Sequence, residues 1–227
     1  MRKLLIIIAL WYFFIDAPKA QSESISTDKR IGSTGSLIVS FGPEYCFADT
    51  KEFPLGQNLR NNWNLSLGFL QKFRNNLGYK IGVNFGNVTG SDGDQSRMYS
   101  FTSKLEQISF QGEYTINIGD KSKNSEFNSI YFFLGAGLLG NSTNLKYTPR
   151  IDYLYKVNKP DYYNLNAALL AGFGYQYKLN TSISVGAEFN LEYVFSDYID
   201  GFKPPYPDSQ FNDVLQGFSL TVSYVVF

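Results

Sequence analysis

Residues 183–195 alternate along their whole length. Ile183, Val185, Ala187, Phe189, Leu191, Tyr193 and Phe195 share one side of an extended chain, and Ser184, Gly186, Glu188, Asn190 and Glu192 share the other, with Val194 the exception. A strand sends successive side chains to opposite faces, whereas a helix would scatter these residues around its axis. The same two-residue period returns six more times, and an eighth run is less clear. In 37–47, Leu37, Val39, Phe41, Tyr45 and Phe47 oppose Ser40, Gly42, Glu44 and Cys46. In 63–73, Trp63, Leu65, Leu67, Phe69 and Phe73 oppose Asn64, Ser66, Gly68, Leu70 and Lys72. In 77–87, Tyr79, Ile81, Val83 and Phe85 oppose Gly78, Lys80, Gly82 and Asn84. Segments 106–116, 165–177 and 215–227 follow suit, while 130–139 is apolar or Gly on both faces. Each run is about 10–14 residues, longer than an ordinary strand and long enough to cross a bilayer when tilted.

The connections differ in length. Residues 74–76 and 178–181 are tight turns built on Asn75-Asn76 and Asn180. Residues 48–61, 89–103, 140–162 and 196–213 are long and polar, and 117–128 is intermediate. A soluble β-sandwich also alternates, but its polar face meets water and should carry many charges. Here that face is mostly Gly, Ser, Asn and Gln, which suits a crowded lumen. The apolar face carries rings near the strand ends, among them Trp63, Phe73, Tyr175, Tyr177, Tyr193 and Tyr224. Rings with a polar edge favour a bilayer interface. The expected fold is therefore all-β: an eight-stranded antiparallel up-and-down transmembrane β-barrel over 35–227.

Composition narrows the chemistry. Of 227 residues, 17% are aromatic and 18% charged, opposite in balance to a disordered chain. With no His, an imidazole base, a Ser-His-Asp or Cys-His pair and a His-ligated zinc are excluded. The single Cys forms no intramolecular disulfide. Formal net charge is zero, so no basic field attracts nucleic acid. No catalytic residue, cofactor or metal is expected.

Residues 1–22, MRKLLIIIALWYFFIDAPKAQS, read as a secretory signal peptide: Arg2 and Lys3, then an apolar run, then Ala20-Gln21-Ser22 as a small-x-small cleavage site. Cleavage after Ala20 is the other option. The run is too short to span a membrane as a helix. Residues 23–34 would follow as a short periplasmic segment, and the exported chain would reside in the outer membrane.

Eight strands leave an interior that side chains can fill. The charged residues in the polar phase are Glu44, Lys72, Lys80, Glu113, Glu188 and Glu192, and a Lys facing lipid at mid-depth would cost roughly 2–4 kcal/mol. We expect them in the lumen, with Lys72 and Lys80 paired to Glu113 near the periplasmic end; solvated side chains at a wet barrel mouth are the alternative. The long connections concentrate rings at Tyr147, Tyr153, Tyr155, Tyr198, Phe202 and Tyr206. Such loops suit contact with protein or glycan, and equally an aromatic cap packing on itself. Gly135-Ala-Gly137-Leu-Leu-Gly140 matches a dinucleotide fingerprint but lacks the helix that motif requires. Asp92-Gly93-Asp94 lacks the spacing of a calcium loop. Cys46 takes the inward phase as a small inert residue.

Several segments carry a resemblance: NLRNNWNLSLGFLQKFRNNLGYKIGVNFGNVTGSD (58–92), LEQISFQGEYTINI (105–118), IYFFLGAGLLG (130–140) and FSDYIDG (195–201). Together with the strand pattern they make the chain similar to the small OmpA/OmpX-type outer-membrane barrels of Bacteroidota, and within them to the PorG-like family. The resemblance covers most of the mature chain. It implies a non-enzymatic barrel that anchors or scaffolds an envelope complex, type IX secretion being the particular one, with outer-membrane lipid and protein components as partners. The family's usual closing Phe is present as Phe227, but out of phase with the even-numbered lipid-facing residues before it. A narrow porin-like channel or transport protein is the second reading. A barrel enzyme is the third, disfavoured by the missing His.

Overall fold

The chain places its alternating runs in strands β1 (Thr34–Gly42), β2 (Glu44–Phe47), β3 (Trp63–Lys72), β4 (Leu77–Ser91), β5 (Ser100–Ile118), β6 (Asn128–Lys146), β7 (Lys156–Val157), β8 (Tyr163–Lys178), β9 (Ile183–Val194), β10 (Phe202–Lys203) and β11 (Val214–Val225). The computed structural model describes residues 34–47, 61–73, 76–91, 100–118, 128–146, 156–157, 163–196, 198–203 and 212–226. The signal peptide expected at 1–22 and almost all of the 23–34 segment lie outside them, as does Phe227. The main sheet runs β1-β3-β4-β5-β6-β8-β9-β11, and β1 also pairs with β11, so the sheet closes on itself. Every neighbouring pair is antiparallel. Closure removes free edges, so the backbone groups along the wall are satisfied within the sheet.

β1 and β2 are two halves of one stave. Pro43 interrupts it because proline has no N–H to donate. Its carbonyl still accepts from Phe218 N at 3.0 Å, and the register with β11 runs without a slip from Ser36↔Val225 to Phe47↔Val214. The barrel therefore has eight staves.

Two tight turns lie at the same end as both described termini. Asn180 Oδ1 accepts from Ser182 N and Ile183 N, both at 2.8 Å, and so closes the β8–β9 turn with its side chain. Phe73 N donates to Leu77 O at 3.1 Å across the β3–β4 turn.

Three staves rise well past the others at the opposite end. β4, β5 and β6 run to Ser91, from Ser100 and to Lys146, so parts of the expected polar connections 89–103 and 140–162 are strand. The phase of alternation is unbroken there, but its chemistry reverses. Lower on β5 the outward residues are Ile108, Phe110, Tyr114, Ile116 and Ile118, all exposed, and the inward ones are polar: Gln107, Ser109, Gln111, Glu113 and Thr115, all buried. Higher up, the outward residues are Thr102, Lys104 and Glu106, while Phe101 and Leu105 are buried inside. β4 makes the same exchange between Phe85 and Asn87, with Val88 buried. On β6 the outward face alone changes, from Leu138 to Ser142 and Asn144, with Leu139 and Leu145 buried. Paired residues Phe85, Glu106 and Gly140 lie in one line across the three strands and mark the crossing.

Candidate functional site

The lumen holds the chemistry-bearing side chains. Its filling is layered because each strand contributes one inward residue in two.

At the turn end, Lys72 on β3 and Glu113 and Thr115 on β5 form a small ring. Lys72 Nζ lies 3.6 Å from Glu113 Oε1 and donates to Thr115 Oγ1 at 3.1 Å. Thr115 Oγ1 donates in turn to Glu113 Oε1 at 3.1 Å.

The next layer corrects the expected pairing of Lys80 with Glu113. Lys80 stands beside Gln111 in the β4–β5 register, and Glu113 stands beside Gly78. Lys80 instead crosses the lumen from β4 to β9, four staves round the barrel, where Nζ donates to Glu188 Oε2 at 3.1 Å. Tyr131 OH donates to the same oxygen at 3.0 Å. The ammonium also lies 4.8 Å from the centre of the Phe133 ring, an attractive arrangement for a cation over an aromatic face. Two charges far apart in the chain thus brace opposite walls, and each keeps a second partner.

Tyr131 and Phe133 explain why 130–139 is apolar on both faces. These two rings point inward, and each lies over a glycine of the next strand. Tyr131 pairs with Gly174 and Phe133 with Gly172. A Cβ at Gly174 would sit 2.2 Å from Tyr131 Cζ, and one at Gly172 would sit 2.4 Å from Phe133 Cζ. Only a residue without a side chain leaves room for the ring, so the glycines of β8 and the rings of β6 form one packed element. Gly135 and Gly137 lie inside strand β6, which continues to Lys146, so the fingerprint-like spacing there is followed by no helix.

Above this layer, carboxylates are held by amides. Asn64 Nδ2 donates to Glu44 Oε1 at 3.1 Å. Asn84 Nδ2 donates to Gln107 Oε1, and Gln107 Nε2 donates to Glu192 Oε1. Glu44, Gln107 and Glu192 are all buried. A linked network of this kind gains from the low dielectric around it as long as each member has a partner.

The outer end of the lumen is apolar. Cys46, Val88, Phe101, Leu105, Leu139, Leu145, Ala168, Val194, Ile199 and Leu215 form one buried cluster. Ile199 reaches it from the turn after β9. Alternation alone offers no signal for this residue, because it sits in a polar connection and belongs to no strand. Its backbone N donates to Asp213 Oδ2 at 2.7 Å, and its carbonyl accepts from Thr143 Oγ1 at 3.0 Å. Asn141 Nδ2 donates to the Tyr198 carbonyl at 3.0 Å. Gly201 ends the turn at φ 79°, in the left-handed region that favours glycine. Of the other loop residues singled out, Phe202 lies in the short β10, paired with Val157 of β7. Tyr147, Tyr153, Tyr155 and Tyr206 lie outside the described residues.

The outer wall is the reverse of the lumen. Leu134 is 69% exposed and Leu220 67%, and Phe41, Phe110, Leu138, Phe173 and Phe218 are likewise open. Contiguous apolar surface of this extent marks an interaction with another apolar phase.

No protein-family model matches the sequence, and no curated protein matches it. Solved structures do. Neisserial surface protein A, NspA, aligns with a TM-score of 0.51 at 10% identity over 85% of this chain and 98% of that one. A major outer membrane protein from Thermus thermophilus aligns with a TM-score of 0.51 at 14% identity over 86% of this chain and 99% of that one. At these identities the likeness is one of fold, and the fold is that of the closed eight-stranded antiparallel barrels of outer membranes.

Proposed function

We propose that this chain is an outer-membrane barrel with a closed lumen, acting as a structural, anchoring or interaction component of an envelope complex. The observation that carries the reading is the reversal of side-chain chemistry along strands of constant phase. A sandwich strand keeps one apolar face from end to end. On β4 and β5 the apolar face is outside below the Phe85–Glu106–Gly140 line and inside above it, and on β6 the outward face turns from apolar to polar across the same line. Hydrocarbon outside the lower part and water outside the upper part give each residue the surroundings it suits. The tight turns then face the periplasm and the long connections face outward.

The filled lumen supports a scaffolding role over transport. Lys80, Glu188, Tyr131 and Phe133 occupy the middle of the passage, and the apolar cluster occupies its outer end. The resemblance to the PorG-like barrels narrows the complex to the type IX secretion apparatus. In that reading, Tyr147, Tyr153, Tyr155, Tyr198, Phe202 and Tyr206 supply ring contacts for protein partners. Affinity purification from detergent-solubilised envelopes should co-elute secretion components, and a chain eluting alone would contradict the anchoring role. Planar-bilayer recording should show no stable single-channel steps; such steps would favour the narrow porin-like channel.

A further inference from the structure

We propose that the turn Tyr198–Gly201 is a stopper that seals the outer mouth of the barrel independently of the Lys80–Glu188 layer beneath it. This rests on the closed-lumen reading and extends it from one barrier to two in series. Ile199 is 0% exposed although it belongs to a connection between strands, and Asp200 and Asp213 beside it are 1% exposed. The turn is held from two sides. Asp213, just before β11, accepts from the Ile199 N–H. Asn141 and Thr143 of the raised part of β6 donate to the carbonyls of Tyr198 and Ile199. Gly201 packs against the same strand: a Cβ there would lie 2.9 Å from Thr143 Cγ2. The raised, inward-apolar part of β4, β5 and β6 thereby acquires a purpose. It is the wall of the seat into which Ile199 fits, lined by Val88, Phe101, Leu105, Leu139 and Leu145. No residue of this cluster takes part in the ionic layer, so neither closure depends on contacts made by the other.

The chain carries its own reporter of the seal. Cys46, the only cysteine, belongs to the cluster that Ile199 completes and is buried. A water-soluble maleimide reaches it only when the stopper opens, so its labelling rate reads the opening equilibrium. The barrel would be purified from membranes, reconstituted in lipid vesicles and labelled. A Thr102→Cys variant, exposed on the outer face of β5, supplies the reference rate. Retained heat-modifiable migration in gels shows that each variant is folded. Wild-type Cys46 should react at least about a hundredfold more slowly than Cys at 102, and Ile199→Ser should speed it about tenfold or more. Lys80→Ala/Glu188→Ala should leave its rate unchanged. Should Ile199→Ser not insert, Ile199→Ala makes the same test with a milder change. Wild-type Cys46 reacting as fast as the reference would overturn the proposal, as would an Ile199 variant without effect or an equal gain on removing the Lys80–Glu188 pair. A conducting wild-type barrel with a protected Cys46 would instead count against the closed-lumen reading.

Discussion

Lys72 and Lys80 bring the same charge into the same lumen, but with unequal weight. Lys80 is 6% exposed and its partner sits on the far wall. Lys80→Ala leaves Glu188 enclosed with Tyr131 as its neutral donor. Removing one member of a buried pair costs about 3 kcal/mol or more, whereas replacing both by uncharged groups of similar volume costs far less. Urea unfolding in lipid vesicles should therefore show a loss of about 3 kcal/mol for Lys80→Ala and a substantial recovery in Lys80→Met/Glu188→Gln. The side chain of Lys72 is 24% exposed at the turn end while that of Glu113 is 4% exposed. Thr115 still donates to Glu113 when Lys72 is gone, so Lys72→Ala should cost less than Lys80→Ala, about 1–2 kcal/mol. Equal losses for the two single variants would contradict this ranking. The choice of partner is not legible in the sequence. Alternation assigns a direction to Lys80, but its contact with Glu188 depends on which staves stand opposite after the sheet closes.

At the scale of elements, the glycines of β8 and the rings of β6 behave as a single feature. Gly174→Ala puts a Cβ into the Tyr131 ring, and overpacking of this kind costs about 1–3 kcal/mol. With Tyr131→Ala already in place, that cost should fall towards zero, a coupling of about 1–2 kcal/mol in a double-mutant cycle. Additive effects would show that ring and glycine do not share the space. The period of two is enough to anticipate seven of the eight staves and the outward set along their membrane-facing parts, and the Asn180 turn is legible from its residue type. It is silent where chemistry does not alternate in a single sense. Segment 130–139 reads as ambiguous because Tyr131 and Phe133 fill the lumen while Phe132 and Leu134 cover the outside. The raised parts of β4, β5 and β6 read as polar loops because their outward residues are Asn87, Thr102, Lys104 and Asn144. Their apolar residues occupy the opposite phase from the rest of the strand, so a search for one apolar face stops at Phe85 and Ile108. The seat of Ile199 is beyond sequence reasoning for a further reason. It is assembled from a turn and several strands that meet only in the closed barrel.

The whole molecule is ordered by two surroundings meeting at one level. Below the Phe85–Glu106–Gly140 line, burial of the wall is left to the medium, and the interior is filled with ions, amides, rings and glycines. Above it, the strands follow the rule of a water-soluble sheet and enclose their own apolar core. The outer-membrane reading of the closed barrel and its outward apolar wall rests on the claim that hydrocarbon covers the lower wall. The direct measurement places a tryptophan at Leu134, the most open residue at the middle of the outward face of β6. A chain freed of residues 1–22 and carrying Trp63→Phe and Leu134→Trp then has one tryptophan. In vesicles of lipid brominated at mid-chain, its fluorescence should be strongly quenched, because bromine and indole share the hydrocarbon layer. An unquenched tryptophan, in a chain that stays monodisperse in plain buffer, would contradict the account.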